Sequence, residues 1–248
     1  MQVAVFRFYE ELNDFLPEKR KKVPFVYNFR GTPSVKDAIE ALGVPHVEVD
    51  LILVNGISVG FDYALQNNDY VSVYPVFETL DISNVSHLRA KPLREFRFVL
   101  DVHLGKLARY LRMFGFDTLY RNDYEDREII RISVDEHRVI LTRDLGILKV
   151  KTVTHGYYIR NQNPKVQLTE VLEHFDLFHA VKPFCRCIKC NEELAIVSKD
   201  KIIHQLEPLT RQYFHEFYQC SGCGTIYWEG SHFERMKDFI ARINMRLT

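Results

Sequence analysis

Two sets of residues in this sequence have the types and spacing to bind metal ions. The first is a pair of C-x-x-C units, Cys187-x-x-Cys190 and Cys220-x-x-Cys223, with 29 residues between them. Paired knuckles of this kind bind Zn²⁺ tetrahedrally, because thiolates match its borderline-soft character. Asn191 and Gly222-Cys223-Gly224 supply turn residues that let backbone amides point at sulfur. Four cysteines leave no open coordination position, so the zinc expected here is structural. Cys185 precedes Cys187 by two residues and could replace it, but the C-x-x-C spacing favours Cys187. His204, His215 and His232 are possible substitutes that lack knuckle spacing. All five cysteines fall between positions 185 and 223. In a cytosolic chain that clustering favours metal over disulfides.

The second set is acidic. Asp101 directly follows an apolar strand-like run, Phe96–Leu100, and Asp144 follows another, Arg138–Thr142, after Arg143. Asp126 opens a helical stretch after a third run, Phe116–Tyr120. In an open parallel sheet the C-terminal ends of the strands share one edge, where ligands bind. Carboxylates converging there repel one another unless a cation binds, and hard oxygen ligands suit Mg²⁺ or Mn²⁺. Such an ion can bind a phosphate oxygen, activate water and stabilise a leaving oxygen. The plainer alternative is that each aspartate is a turn or capping residue, with Asp126, or Asp123 in the same loop, as a helix N-cap. Lys106, Arg109 and Arg112 recur at i, i+3, i+6 beside an apolar stripe, and with Arg143 they could clamp a phosphate backbone. Singly, each also fits a solvated face. Trp228 and His232 could contact RNA, although packing suits Trp228 better.

These residues need elements to position them, and the chain divides into three segments. Residues 1–80 read as strands at Val3–Phe8 and Lys22–Phe29, then a helix over 32–43 with Ser34 as N-cap and Gly43 as stop. Val49–Val54, an Asn55-Gly56 turn and Tyr70–Tyr74 follow as a hairpin. The order β-β-α-β-β is that of an α+β β-grasp domain. Residues 81–95 carry no apolar period and read as a linker. Residues 96–180 alternate strand and helix, with helices over Leu104–Phe114, Asp126–Glu136 and Lys165–His174 and a further strand over Thr152–Arg160. That rhythm predicts an α/β domain with a parallel sheet and helices on both faces. Residues 181–248 hold the zinc ribbon and a C-terminal helix.

Composition sets outer bounds. Hydrophobic residues make up 46% of 248, enough for a sizeable core. No stretch approaches the roughly 18 apolar residues of a membrane span, and no signal peptide is read at Met1–Arg7, so a cytoplasmic protein is expected. Net charge is zero, but residues 1–84 hold 7 Lys/Arg against 12 Asp/Glu, while residues 85–248 hold 26 against 21. The basic part could meet a phosphate backbone.

Two resemblances add to this reading. Leu53-Val54-Asn55-Gly56 with Asn68–Val76 resembles the ubiquitin-like sulfur carriers, but the segment runs into Phe77-Glu78-Thr79-Leu80 without their Gly-Gly tail. A binding or scaffolding role toward a protein partner is therefore favoured over sulfur transfer. Asp101–Thr118 and Val139–Asp144 resemble the two signatures of the Mut7-C ribonuclease domain, a PIN-like nuclease, and Tyr227–His232 resembles its C-terminal signature. The ubiquitin-like segment resembles the module often fused in front of that domain. The resemblance implies a PIN-like fold followed by a zinc ribbon, and a metal-dependent ribonuclease acting on RNA, with structured RNA such as tRNA as one candidate. It makes Asp101, Asp126 and Asp144 the metal-binding acids, with Asp123 as the choice for a fourth. The ribbon then reads as a substrate-holding appendage. The competing reading is a catalytically inactive RNA-binding or adaptor protein. A haloacid-type phosphatase needs a second aspartate where this chain has His103.

Overall fold

The structure, a computed structural model, describes residues 1–75, Leu88 and 96–244. The side chains of Ser231, His232, Arg235 and Asn244 lie outside that description. So does the linker read at 81–95 apart from Leu88, together with the Phe77–Leu80 end of the first segment.

The chain begins with β1 (Gln2–Phe8), β2 (Phe25–Phe29), α1 (Val35–Ala41), β3 (Val49–Val54), β4 (Ile57–Ser58) and β5 (Tyr70–Pro75). It continues with β6 (Phe98–Leu100), α2 (Gly105–Met113), β7 (Thr118–Leu119), α3 (Asp126–Glu136), β8 (Val139–Thr142), α4 (Leu145–Leu148), β9 (Gly156–Tyr158) and α5 (Pro164–His174). The last part holds β10 (Leu194–Val197), α6 (Lys199–Ile202), α7 (Pro208–Tyr213), β11 (Phe217–Cys220), β12 (Ile226–Trp228) and α8 (Ser231–Asn244). Two compact units result. One contains Met1–Glu95 and Glu125–Tyr158, the other Phe96–Tyr124 and Ile159–Thr248. These units do not follow the segments 1–80, 96–180 and 181–248 read from the sequence, because the middle segment is shared between them.

The first unit is built on a five-stranded mixed sheet in the order β2-β1-β5-β3-β4, with β1 and β5 parallel and the other neighbours antiparallel. Alternation in β1 sends Ala4, Phe6 and Phe8 into a core shared with Val35, Ala38 and Ile39 of α1. Ser34 caps α1 as read: its hydroxyl accepts from Asp37 N–H at 3.1 Å, and Asp37 accepts back from Ser34 N–H at 3.2 Å. Asn55 (φ 51°) and Gly56 (φ 85°) form the expected turn. However, it leads into the two-residue β4, and β5 joins β3 only after a longer loop. The carboxylate of Asp69 organises that loop, accepting from Asn55, Tyr63 and Gln66 at 2.8–3.1 Å.

Residues 125–158 join this unit through specific bonds. Glu48 accepts from Tyr158 N–H at 2.5 Å, Lys149 donates to Glu40 O at 3.1 Å, and His46 Nε2 lies 2.9 Å from Val153 O. Within the inserted part β8 and β9 pair in parallel, Ile140 opposite Gly156. Helix α3 buries Ile129 and Ile132 and ends at His137, whose φ of 52° is left-handed.

In the second unit β6 and β7 also pair in parallel, Phe98 opposite Thr118. Helix α2 buries Leu107, Ala108 and Leu111 and stops at Gly115. That glycine is required twice over. Its φ is +95°, and a Cβ there would fall 2.1 Å from Lys182 O. The close approach arises because the returning chain bonds the end of α2, Lys182 N–H to Phe114 O at 3.0 Å and Phe184 N–H to Met113 O at 3.1 Å. Farther on, β10, β11 and β12 form an antiparallel ribbon over a small core of Ile202, Leu206 and Phe217. Phe239 of α8 packs on Tyr110 and Phe114 of α2, with ring centroids 5.3 and 6.0 Å away.

Replacing Gly115 with alanine combines a left-handed penalty of about 1–2 kcal/mol with a backbone clash. Gly115→Ala should therefore lose about 2 kcal/mol or more in urea unfolding, and an unchanged midpoint would refute the close approach.

Candidate functional site

The four knuckle cysteines meet. Their sulfurs all lie within 4.8 Å of one another, with Cys187–Cys223 at 3.6 Å and Cys190–Cys220 at 3.3 Å. Thiolates around zinc at about 2.3 Å stand about 3.8 Å apart, so the donor set fits a tetrahedral zinc ion. Among the described residues this is the group close enough together to hold an ion. Backbone geometry closes both loops: Asn191 N–H donates to Cys187 O at 2.9 Å, and Gly224 N–H to Cys220 O at 3.1 Å. Cys223 N–H lies 3.4 Å from Cys220 Sγ, and the Tyr227 hydroxyl is 3.1 Å from Cys187 Sγ. Cys223 is held at about 6, first by the Thr225 hydroxyl and then by that residue's backbone. Cys190 is pushed up to about 12, chiefly by desolvation, with the neighbouring sulfurs adding to it. Sulfurs this crowded cannot all ionise independently, and a cation among them removes the conflict. Cys185 is exposed and stands outside the group, its sulfur 3.8 Å from Gly115 O.

The basic row on α2 divides. Lys106 and Arg109 are exposed. Arg112, read from the sequence as an RNA contact, is only 3% exposed and faces inward. Its Nε donates to Thr118 O at 2.9 Å, and its Nη1 donates to Ile188 O at 3.2 Å and Lys189 O at 2.8 Å. Burial lowers its pKa from the ordinary arginine value, against the opposing pull of Cys190 and Cys187. With three of its five N–H groups committed to carbonyls and the side chain buried, Arg112 presents little to a phosphate and acts as a structural residue. The i, i+3, i+6 spacing misled because it drifts off one helix face: 100° per residue puts the third position toward the apolar stripe. Arg143 is half-buried just after β8. The side chain of His232 is outside the described residues, and Trp228 packs partly against Phe214 and Phe217 at ring distances of 6.4 Å.

The acids occupy different surroundings. Asp101, in the second unit, is 5% exposed and sits between β6 and a single turn at Val102–Leu104. That turn is pinned: Tyr120 donates its hydroxyl to Val102 O at 2.9 Å, and a Cβ on Gly105 would meet the same hydroxyl at 2.6 Å. Asp123, in the same unit, is exposed and held by Arg121 through two bonds of 2.9 and 2.7 Å. That guanidinium keeps the Asp123 carboxyl below the usual carboxylate range. Asp126 and Asp144 belong to the first unit. Asp126 is the exposed first residue of α3, and the cap position is taken by Glu125. Asp144 is exposed and does cap: its Oδ1 accepts from Gly146 N–H at 2.6 Å, and its own N–H donates to the buried Thr142 hydroxyl at 2.8 Å. The four-residue α4 that it caps was not anticipated, being too short to show periodicity.

Sequence reasoning also missed a cleft of about 760 Å³ in the first unit, lined by Arg7, Tyr9, Asn13, Asp14, Lys21 and Lys22 among others. Only the folded loop after β1 assembles it, through Asn13 bonds to Phe8 O, Glu10 O and Lys22 N–H.

Comparison with known proteins gives two family matches. The family described as Mut7-C RNAse domain matches residues 96–240, and the one described as Mut7-C ubiquitin matches residues 1–81. No curated protein and no solved structure matches. No helix among the described residues is long and apolar enough to cross a membrane.

Purified protein should carry about one zinc ion per chain by elemental analysis, and Cys220→Ser should lose most of it. A metal-free wild type that still melts cooperatively would sink the zinc assignment.

Proposed function

The chain belongs to the Mut7-C RNAse domain family and carries a Mut7-C ubiquitin domain in front; from that premise we propose that it hydrolyses RNA phosphodiester bonds with the help of Mg²⁺ or Mn²⁺. Asp101, Asp126 and Asp144 would hold the ion. The observation carrying this reading is that Asp101 directly follows β6 and Asp144 lies two residues past β8, both inside the matched span. Acids in these positions, after strands that pair in parallel, suit a PIN-like fold. When bound, the ion would lower the pKa of a water and stabilise the leaving oxygen.

The chain's own side chains supply the rest. Asp101 is largely withdrawn from water, where a carboxylate acts more strongly on a nearby charge. The bond from Gly146 fixes the direction of the Asp144 carboxylate. Lys106 and Arg109, one turn apart on the exposed side of α2, would draw in the phosphate backbone, with Arg143 beside Asp144. Asp123, kept ionised by Arg121, is the candidate for a fourth acid. Structured RNA such as tRNA is the substrate to try first. The ubiquitin-like domain would serve to bind a protein partner, since no Gly-Gly follows it for carrier chemistry.

One observation favours the inactive-adaptor reading. Asp144 acts as a helix cap and Asp126 stands on an exposed first turn, both ordinary structural positions for aspartate. Activity decides between the two. Asp101→Asn and Asp144→Asn should each lower Mg²⁺- or Mn²⁺-dependent RNA cleavage by about a hundredfold or more. Undiminished cleavage by the double variant refutes the acids, while tight binding without turnover in the wild type points to the adaptor. Arg109→Ala should weaken RNA binding across sequences and reduce the slope of log K against log salt by about 1; an unchanged slope removes α2 from the RNA path.

A further inference from the structure

We propose that the first cysteine knuckle is a zinc-dependent clamp on α2 and β7, worked through Arg112 and Asn191, so that zinc occupancy and the order of residues 105–119 form one equilibrium. The proposal concerns the second unit alone and does not require that the chain cleave RNA.

The clamp closes on one peptide group from each side. Thr118 O accepts from Arg112 Nε at 2.9 Å, and Thr118 N–H donates to Asn191 Oδ1 at 2.8 Å. Both partners are tied to the knuckle. Arg112 reaches Ile188 O and Lys189 O, the two carbonyls between Cys187 and Cys190. Asn191 follows Cys190 directly, holds a left-handed φ of 79°, and donates its own N–H to Cys187 O at 2.9 Å. The other end of its amide donates to Asp117 Oδ1 at 2.7 Å, while Arg186 donates to Asn191 O at 3.0 Å. Arg112 and Asn191 are 3% and 6% exposed, so neither can exchange these partners for water without the site opening.

The coupling follows from that burial. The carbonyls of Ile188 and Lys189 converge on Arg112 only while Cys187 and Cys190 are drawn together. If the knuckle opens, a buried guanidinium loses two acceptors and the Thr118 N–H loses the Asn191 amide oxygen at once. Leaving such groups unsatisfied is costly, so α2 and β7 loosen with the knuckle. Linkage makes the effect reciprocal: whatever weakens the clamp from the α2–β7 side must weaken zinc binding by the same factor. β7 is only two residues long and pairs with β6 at two positions, so the clamp supplies a large share of its hydrogen bonds. The sulfurs fit the ion on their own geometry, described above, and the clamp adds what the protein gains from closing around it.

Two measurements on the full-length chain test this. Hydrogen–deuterium exchange of the peptide covering 105–119 is compared between zinc-loaded protein and protein stripped with a chelator. Zinc release to a chromophoric chelator is timed for wild type, Asn191→Gly, Asp117→Ala and Arg112→Lys. Glycine at 191 keeps the left-handed backbone and deletes only the amide. Asp117 and Arg112 lie outside the knuckle, so a merely local fault in the loop would not be felt there. Exchange in 105–119 should rise on stripping, and all three variants should release zinc several-fold to about tenfold faster. If Arg112→Lys fails to fold, Asp117→Ala still reads the coupling from the far side. Unchanged exchange on stripping overturns the proposal. So does wild-type zinc release in Asp117→Ala with only Asn191→Gly affected, and so does a wild type that holds no zinc.

Discussion

A guanidinium taken out of water must find an acceptor for its N–H groups, and Arg112 finds three backbone carbonyls. Carbonyls carry only partial charge, so the site must be shaped closely enough for several to converge. Two of the three belong to the cysteine knuckle and one to β7, and the second unit takes its form from that requirement. The chain has to leave α2 sharply, which Gly115 allows. It must return past the end of that helix, which Lys182 and Phe184 do, and it must turn at Asn191 with a left-handed backbone. The ribbon is therefore not an appendage attached to a finished domain. It completes the surroundings of β7, and its cysteines sit one peptide away from the groups that hold α2.

The first unit shows the same economy with different chemistry. Residues 125–158 follow the middle segment in sequence, yet they also bond to the β-grasp part, through Glu40 of α1 and through His46 and Glu48 in the turn before β3. Buried Glu48 accepts a backbone N–H from Tyr158, the same kind of polar commitment that Arg112 makes in the second unit. A carrier domain swinging on a tether has no use for such bonds. The ubiquitin-like part is thus a fixed portion of the unit that also contains Asp126 and Asp144, which fits the absence of a Gly-Gly tail.

The acids and the basic row illustrate how environment sorts residues of the same type. Asp101 is buried behind a turn pinned by Tyr120, Asp144 is oriented by Gly146, Asp126 is exposed on a first helical turn, and Asp123 is occupied by Arg121. Lys106, Arg109 and Arg112 likewise belong to one sequence pattern and end in two roles. What separates Arg112 from Arg109 is three further residues of α2, which fall about 60° short of a full turn and carry the side chain from solvent to the side where β7 and the knuckle wait.

The sequence by itself determined the local features. Ser34 and Asp37 made a capping box, Asn55-Gly56 a turn, Gly115 a helix stop, and Asp126–Glu136 a helix with about the bounds read from the sequence, because each depends on residues within a few positions of one another. The cysteine spacing likewise indicated which four sulfurs would meet, because each C-x-x-C unit brings its own two sulfurs to one loop. Tertiary structure decided what depends on distant partners. It placed β4 and not β5 across the Asn-Gly turn, gave residues 125–158 to the β-grasp unit, opened the cleft beside Arg7, and turned Arg112 from a phosphate contact into the centre of a buried network. The physical reason is the same in each case: a side chain's helix face and charge are set locally, but whether it meets water or a carbonyl some 76 residues away is settled only when the chain has folded.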